Sequence, residues 1–207
     1  MSNKIAAGEV VNRPESVAKE HLEYSIAARA SSVTLFIKDA GKSLIQVIDN
    51  GSGMSEEDAE ICFQRHSTSK VATYEDIECI KTLGFRGEAL ASIASVSQVE
   101  LKTKRAEDEL ATVIRIDGGD FADKSRAAGE TGTSVSVRNL FYNTPGRRNF
   151  LKSNQTEFRH IYDTFVRLAL ANPDKGFRFV SNDDDVFDLK PQGRKERVSD
   201  IFGSDFA

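Results

Sequence analysis

Two short alternating runs constrain the fold most: Val33-Thr34-Leu35-Phe36-Ile37 and Leu44-Ile45-Gln46-Val47-Ile48, with the turn residues Asp39-Ala40-Gly41-Lys42 between them. Apolar and β-branched residues at a period of two, closed by a turn, specify an antiparallel hairpin with one apolar face. That face needs a cover, and the chain supplies helices before and after it. Arg13-Pro14-Glu15-Ser16 reads as a helix start running to about Ala28, since proline is tolerated in a first turn and early acidic residues suit the helix dipole. Ser55-Glu56-Glu57-Asp58 caps a short helix through Phe63, and the small apolar segment from Glu88 to Val96 suits another. Further strands are predicted at about 98–104, 111–117 and 133–139, with residues 118 to 132 read as a Gly-rich, charged loop. Thr156 to Leu170 is an amphipathic helix, with Phe158, Ile161, Phe165 and Leu168 at helical spacing. Phe177 to Val180 and Val186 to Leu189 form a last strand pair around the turn at Asn182 to Asp185. Residues 64 to 84 lack periodicity, and a connection of that length is often a functional lid. The order predicts an α+β two-layer sandwich: a mostly antiparallel mixed sheet with helices on one face.

Composition removes several classes of function. The chain has 207 residues, 28 Lys+Arg against 32 Asp+Glu, a net charge of -4 and 39% hydrophobic residues. No apolar run approaches the ~20 residues of a membrane span, so no membrane partner is expected. Regular apolar spacing argues against disorder. The acidic balance argues against holding nucleic acid by bulk charge. A local exception lies between Arg138 and Thr156, where Arg138, Arg147, Arg148 and Lys152 occur without an acidic residue. Such a patch is either solvated charge around Pro145-Gly146 or a sequence-independent, salt-sensitive contact to DNA phosphates through Arg147, Arg148 and Lys152. Cys62 and Cys79 sit in no CxxC or Cys/His cluster and read as reduced thiols. The N-terminal residues have no long apolar stretch, so the chain is expected not to be secreted. His21 has no second ligand at metal spacing and reads as a helix-surface or half-buried histidine; His66 falls in the aperiodic stretch and His160 on the amphipathic helix.

Three glycine-bearing elements could carry chemistry. Asp49-Asn50-Gly51-Ser52-Gly53-Met54 directly follows a strand, and alone it is equally a turn leaving that strand. Gly84-Phe85-Arg86-Gly87-Glu88-Ala89-Leu90 opens a helix, where backbone N–H groups can meet an anion, or else forms an ordinary loop-to-helix junction. It is not a Walker A motif, because no Gly-Lys-Ser/Thr follows. Gly132-Thr133-Ser134-Val135-Ser136-Val137 is a strand entered through a glycine.

In this order the elements resemble the GHKL ATPase superfamily of gyrase-type topoisomerases, large heat-shock chaperones, sensor histidine kinases and MutL proteins. The similarity to MutL proteins is carried by Ile5-Ala6-Ala7-Gly8-Glu9-Val10-Val11, Arg65-His66-Ser67-Thr68-Ser69-Lys70, Gly84 to Leu90, and Leu140-Phe141-Tyr142-Asn143-Thr144-Pro145. The resemblance implies the GHKL ATP-binding fold, with ATP as ligand and Mg²⁺ as its usual companion. It puts Glu20 at the position of the catalytic glutamate that polarises the attacking water. Phosphoryl transfer needs such a carboxylate for positioning; without the resemblance, Glu20 is a solvated helix carboxylate. Asp49 falls at the aspartate that accepts from the adenine amino group, and Gly51 and Gly53 at glycines that let the backbone pass the nucleotide. Thr68, Lys70, Gly84, Phe85, Arg86, Gly87 and Leu90 fall in the lid over the phosphates, though Lys70 also reads as a surface lysine. Thr133 falls at a threonine near the nucleotide, a place equally explained by strand propensity.

The sequence also departs from the family pattern. Where the family reads Glu-x-x-Glu-Asn-Ser-x-Asp-Ala-Gly-Ala, this chain has Glu20-His21-Leu22-Glu23-Tyr24-Ser25-Ile26-Ala27-Ala28-Arg29-Ala30. Tyr24 replaces the asparagine that coordinates Mg²⁺, a cation that wants hard oxygen ligands in near-octahedral geometry. Glu20 and Tyr24 are four apart and share one helix face. Impaired hydrolysis with a surviving nucleotide pocket is therefore expected. Two functions follow. The first is the ATP-binding module of a MutL-type mismatch-repair protein. It would act as a nucleotide-gated switch pairing with itself or a paralogue, touching DNA and meeting mismatch-recognition and downstream repair proteins. The second is a non-hydrolysing structural or DNA-binding paralogue of the same fold. Residues 1–190 are expected to form the ATP-binding domain and 191–207 to begin the connection to a second lobe. The protein would be cytoplasmic in a prokaryote and nuclear in a eukaryote.

Overall fold

The computed structural model describes residues 11–64 and 88–204. Its first helix, α1 (Pro14–Ala27), begins with the proline at its first turn and leads into the hairpin of β1 (Ser32–Lys38) and β2 (Leu44–Asp49). A 3-10 turn at Asp39–Gly41 closes the hairpin, and the strands pair antiparallel from Val33↔Asp49 to Lys38↔Leu44. Helices α2 (Glu56–Ile61) and α3 (Ala89–Ala94) follow, then β3 (Gln98–Lys104), β4 (Ala111–Asp117), β5 (Asp120–Ala127) and β6 (Gly132–Arg138). The chain continues through a short helix α4 (Pro145–Asn149), the long helix α5 (Asn154–Ala171), β7 (Gly176–Ser181), β8 (Asp184–Leu189) and α6 (Arg194–Phe202). The eight strands among the described residues form one sheet in the order β5-β4-β3-β6-β2-β1-β7-β8. Only the β1–β7 pairing is parallel, so the sheet is mixed but mostly antiparallel, as expected.

Register builds the core. Leu35, Val47, Val135 and Leu101 lie opposite one another across β1, β2, β6 and β3, and so do Ile37, Ile45, Val137 and Val99. All eight side chains are buried. Helix α5 lays Ile161 and Phe165 on this layer, with the Phe165 ring 5.0 Å from Phe179 and 5.9 Å from Phe187. Helix α1 packs against α5, and Thr164 donates to the Glu15 carboxylate at 2.7 Å.

The reading of residues 118–132 as a loop is corrected: residues 120–127 form β5, paired to β4 through a two-residue turn at Gly118-Gly119. Both glycines have positive φ, 62° and 96°, which a tight hairpin turn of this kind requires. The strand was hidden because seven of its eight residues are exposed, which leaves no apolar alternation to read. Ion pairs hold it instead: Lys124 with Glu56 and Glu60, Arg126 with Glu56, and Asp123 with Arg115 at 3.1 Å. Those charges and the register shift at Arg115/Ile116 also guard an open sheet edge.

Helix α6 was not expected either. Its Arg197 is fully buried and donates to four carbonyls: Ala169 at 2.9 Å, Pro173 at 3.1 Å, Lys175 at 2.8 Å and Lys190 at 2.8 Å. One guanidinium thereby ties α6 to the end of α5 and to both ends of the β7–β8 hairpin. Replacing Arg197 with Met would leave these buried carbonyls short of a donor. Denaturant unfolding is expected to show a loss of about 3 kcal/mol.

Candidate functional site

The apolar face of the sheet ends in a polar row. One step beyond Val47, Val135 and Leu101, the register brings Asp49, Thr133, Thr103 and Thr112 side by side on β2, β6, β3 and β4. Asp49 is half-buried and doubly held. Ser25 Oγ of α1 donates to its Oδ2 at 2.8 Å, and the Gly51 N–H donates to its Oδ1 at 2.9 Å. Thr103 is buried, accepts from the Met54 N–H at 2.9 Å and lies 2.9 Å from Thr133 Oγ1. The glycine loop is thus fastened at both ends, to Asp49 and to β3. Between them Gly53 has φ 66°, and a Cβ there would lie 2.1 Å from the Lys104 carbonyl oxygen, so no larger residue fits. Ser52 N–H donates to the Ala28 carbonyl at 3.0 Å, and Asn50 accepts from the N–H groups of Ser31 and Ser32, both at 2.9 Å. These bonds hold the loop against the end of α1.

Helix α1 supplies the second wall. Glu20 and Tyr24 share its half-buried side, near enough for each to influence the other's titration. Burial raises the Glu20 pKa above the usual carboxylate value, the neighbouring Glu23 adds to it, and Lys19 and the Tyr24 hydroxyl oppose it. Burial likewise holds the Tyr24 proton more tightly, reinforced by the charge of Glu20. Burial, then Asp58, pushes the Cys62 thiol beside Tyr24 up to about 12. The structure therefore brings Asp49, Gly51, Gly53 and Thr133 together at the strand ends, with Glu20 and Tyr24 on α1. Leu90 is half-buried in α3. Thr68, Lys70, Gly84, Phe85, Arg86 and Gly87 lie outside the described residues, as do His66 and Cys79. A neighbouring cleft of about 650 Å³ shares only Thr112 with this row, and its Glu56, Glu57, Glu60, Glu107, Asp108 and Glu109 carboxylates would repel an anionic ligand.

Residues 12–139 match the family model for histidine kinase-, DNA gyrase B- and HSP90-like ATPases. The DNA mismatch repair protein MutL of Chloroherpeton thalassium is 55% identical over 207 residues, which is 100% of this chain and 32% of that protein. MutL of Chlorobium limicola is 53% identical over 100% of this chain and 33% of its own length. The Aquifex aeolicus MutL ATPase domain complexed with ADP is 34% identical with a TM-score of 0.78, covering 93% of this chain and 70% of that one. The chain belongs to the MutL family of GHKL ATPases. It spans about a third of the length of the curated MutL relatives it matches.

Within this MutL fold, three side chains missed or misjudged from the sequence matter. Ser25 and Thr103 are the hydroxyls that fasten Asp49 and the glycine loop. Ser25 stood inside the motif without a role, and nothing local marks Thr103, whose position appears only through strand register. His21, expected at the surface or half-buried, is 2% exposed on the inner side of α1, and neither ring nitrogen has a partner among the described residues. The helix turns its seventh and eighth residues, Glu20 and His21, toward different sides, and His21 falls with Val17, Ala18 and Ser25 on the buried one. Of the basic patch, Arg148 and Lys152 are exposed, whereas Arg147 lies 4.3 Å over the Phe141 ring and donates to the Val11 carbonyl.

The buried histidine gives the domain a pH dependence. Burial pushes its imidazole from an ordinary 6.5 down to about 4. Between those values the unfolded chain binds a proton that the folded chain does not, so stability rises with pH through this window. Lowering the pH from 7 to 4 is expected to remove about 3 kcal/mol through this residue. His21→Leu should flatten that part of a stability-against-pH curve measured by urea unfolding.

Proposed function

We propose that this domain binds ATP and serves as the nucleotide-gated switch of a MutL-type mismatch-repair protein. The observation that carries this is Asp49, held as an acceptor at a strand end by Ser25 and Gly51, beside Thr133 and a glycine loop that admits a close ligand. Asp49 would accept from the adenine amino group, while Gly51 and Gly53 let the backbone pass the sugar and phosphates. Thr68, Lys70 and Gly84 to Gly87 would close over the phosphates, with Leu90 behind them. Glu20, made more basic by burial, is the residue to polarise an attacking water.

Mg²⁺ does not fit this residue set. The half-buried Tyr24 hydroxyl holds its proton tightly, so it offers no strong oxygen ligand. Among the described residues no group of three or more His, Cys, Asp or Glu side chains could hold a metal ion. Nucleotide binding with impaired hydrolysis is the reading these features favour, and it joins the two functions expected from the sequence: a switch whose reset is slow, or a partner subunit that does not turn over. Pairing with itself or a paralogue, and meeting mismatch-recognition and repair proteins, are carried over from the family resemblance as part of this proposal. Arg148 and Lys152 remain available for a DNA phosphate contact, with Arg147 turned toward Val11. Among the described residues no helix is long and apolar enough to cross a membrane; a cytoplasmic location, or a nuclear one in a eukaryote, goes with a DNA-repair role.

Calorimetric titration of ATP and ADP, with and without Mg²⁺, tests the reading together with a turnover assay. This chain should bind nucleotide equally well without the metal and turn over little. Tyr24→Asn should gain metal dependence and at least about tenfold in turnover, a barrier change of about 1.4 kcal/mol. Metal-dependent turnover in the parent chain equal to that of the variant would sink the hydrolysis part. Absence of nucleotide binding would sink the whole.

A further inference from the structure

Thr103 lies beside Thr133 on the neighbouring strand and is 1% exposed. Its hydroxyl has three partners: the Met54 N–H at 2.9 Å, the Gly132 carbonyl at 3.2 Å and Thr133 Oγ1 at 2.9 Å. A hydroxyl has one proton and two lone pairs. The Met54 N–H can only donate, and the Gly132 carbonyl can only accept. All three contacts are satisfied in one way alone: Thr103 gives its proton to Gly132 and accepts from both Met54 and Thr133.

Thr133 therefore has its proton turned inward, and half-exposed Thr133 presents only lone pairs to the site. Its register partner on β2 is Asp49, whose carboxylate already accepts from Ser25 and Gly51 and offers only further lone pairs. Side chains directly opposite on antiparallel strands are close enough to meet one ligand edge. Two acceptors side by side welcome an amino group and repel a keto oxygen.

We propose that Thr103 is a positioning residue for base selectivity: by taking the Thr133 proton it makes the site accept amino-bearing purine nucleotides and reject keto-bearing ones. The proposal rests on the nucleotide reading above. Thr103 touches no ligand itself. It acts through Thr133 and, by the Met54 N–H, through the end of the glycine loop.

The test compares ADP with inosine diphosphate, which carries a keto oxygen in place of the amino group, by calorimetry on the whole chain. The parent should prefer ADP by about tenfold or more, the usual consequence of leaving a buried polar group mispaired. Thr103→Val frees the Thr133 proton to donate to the keto oxygen, so the preference should fall toward one as inosine diphosphate gains and ADP loses. Thr103→Ser keeps the hydroxyl and should keep the preference. If Thr103→Val weakens both nucleotides by the same factor, the residue is merely structural and the proposal is overturned. Should circular dichroism show that variant unfolded, Thr133→Val decides: ADP must weaken while inosine diphosphate does not, and equal effects on both overturn the proposal. Failure of the parent to bind ADP would overturn the nucleotide reading, and this proposal with it.

Discussion

The hydrogen bond from Ser25 to Asp49 fixes the geometry of the site. It joins the last turn of α1 to the last residue of β2, the two elements that form the site's wall and floor. A bond to a carboxylate contributes more than a neutral one, about 1.5–3 kcal/mol, and here it also sets orientation. Once Asp49 is held, its other oxygen captures the Gly51 N–H, which sets the direction in which the loop leaves the strand. The Ala28 carbonyl then takes the Ser52 N–H, and Thr103 takes Met54. Each bond restricts the next, so a loop rich in glycine acquires a single course. The apolar layer beneath supplies the rigidity: Val47 and Val135, one step before Asp49 and Thr133 on the same face, are buried.

Helix α1 serves two purposes that pull against each other. Its inner side must pack on the sheet and α5, and it does so with Val17, Ala18, Leu22 and the unpartnered His21. A neutral imidazole without a hydrogen bond is an expensive core residue, costing about 1–3 kcal/mol. Its place next to Glu20 means that the helix cannot be turned to expose the histidine without also swinging Glu20 and Tyr24 away from their half-buried side. The packing of the inner side therefore determines where the carboxylate points.

How much of this was legible in the sequence follows from which physical signal each element carries. The hairpin of β1 and β2 and the strand β3 are readable because one face of each is buried and alternation survives, whereas β4 and β6 are readable as short β-branched runs buried over several consecutive residues. Phe158, Ile161, Phe165 and Leu168 were readable for the same reason at helical period, and the rings of Phe158 and Phe165 do meet Phe179. Strand β5 buries neither face, so its pairing lay only in the Gly118-Gly119 turn and in charges far away in sequence. Arg197 sits in a helix as polar as any solvated one; that its charge is buried on four carbonyls depends on three elements meeting. Motif residues declared the site, but the hydroxyls that orient them did not. Ser25 and Thr103 act through partners 24 and about 30 residues away, a distance at which local pattern carries no information.

The strand ends and the helix side of the candidate site are built by different means. At the strand ends, Asp49, Thr133 and Thr103 are adjacent because β2, β6 and β3 are in register, and register is held by whole strands. No single side chain on α1 other than Ser25 touches that arrangement through a hydrogen bond. On α1, burial first, then Glu23, Lys19 and Tyr24, set the titration of Glu20. A change at position 24 therefore alters the carboxylate and the room for a cation while leaving the strand-borne acceptors in place. Selection on a protein used for its bound state, rather than for turnover, would preserve the first arrangement and tolerate change in the second. The residues of this chain are distributed in that way: the Asp49 loop keeps every glycine of its motif, and the departures Tyr24, Ala27 and Arg29 all fall on or just after the helix.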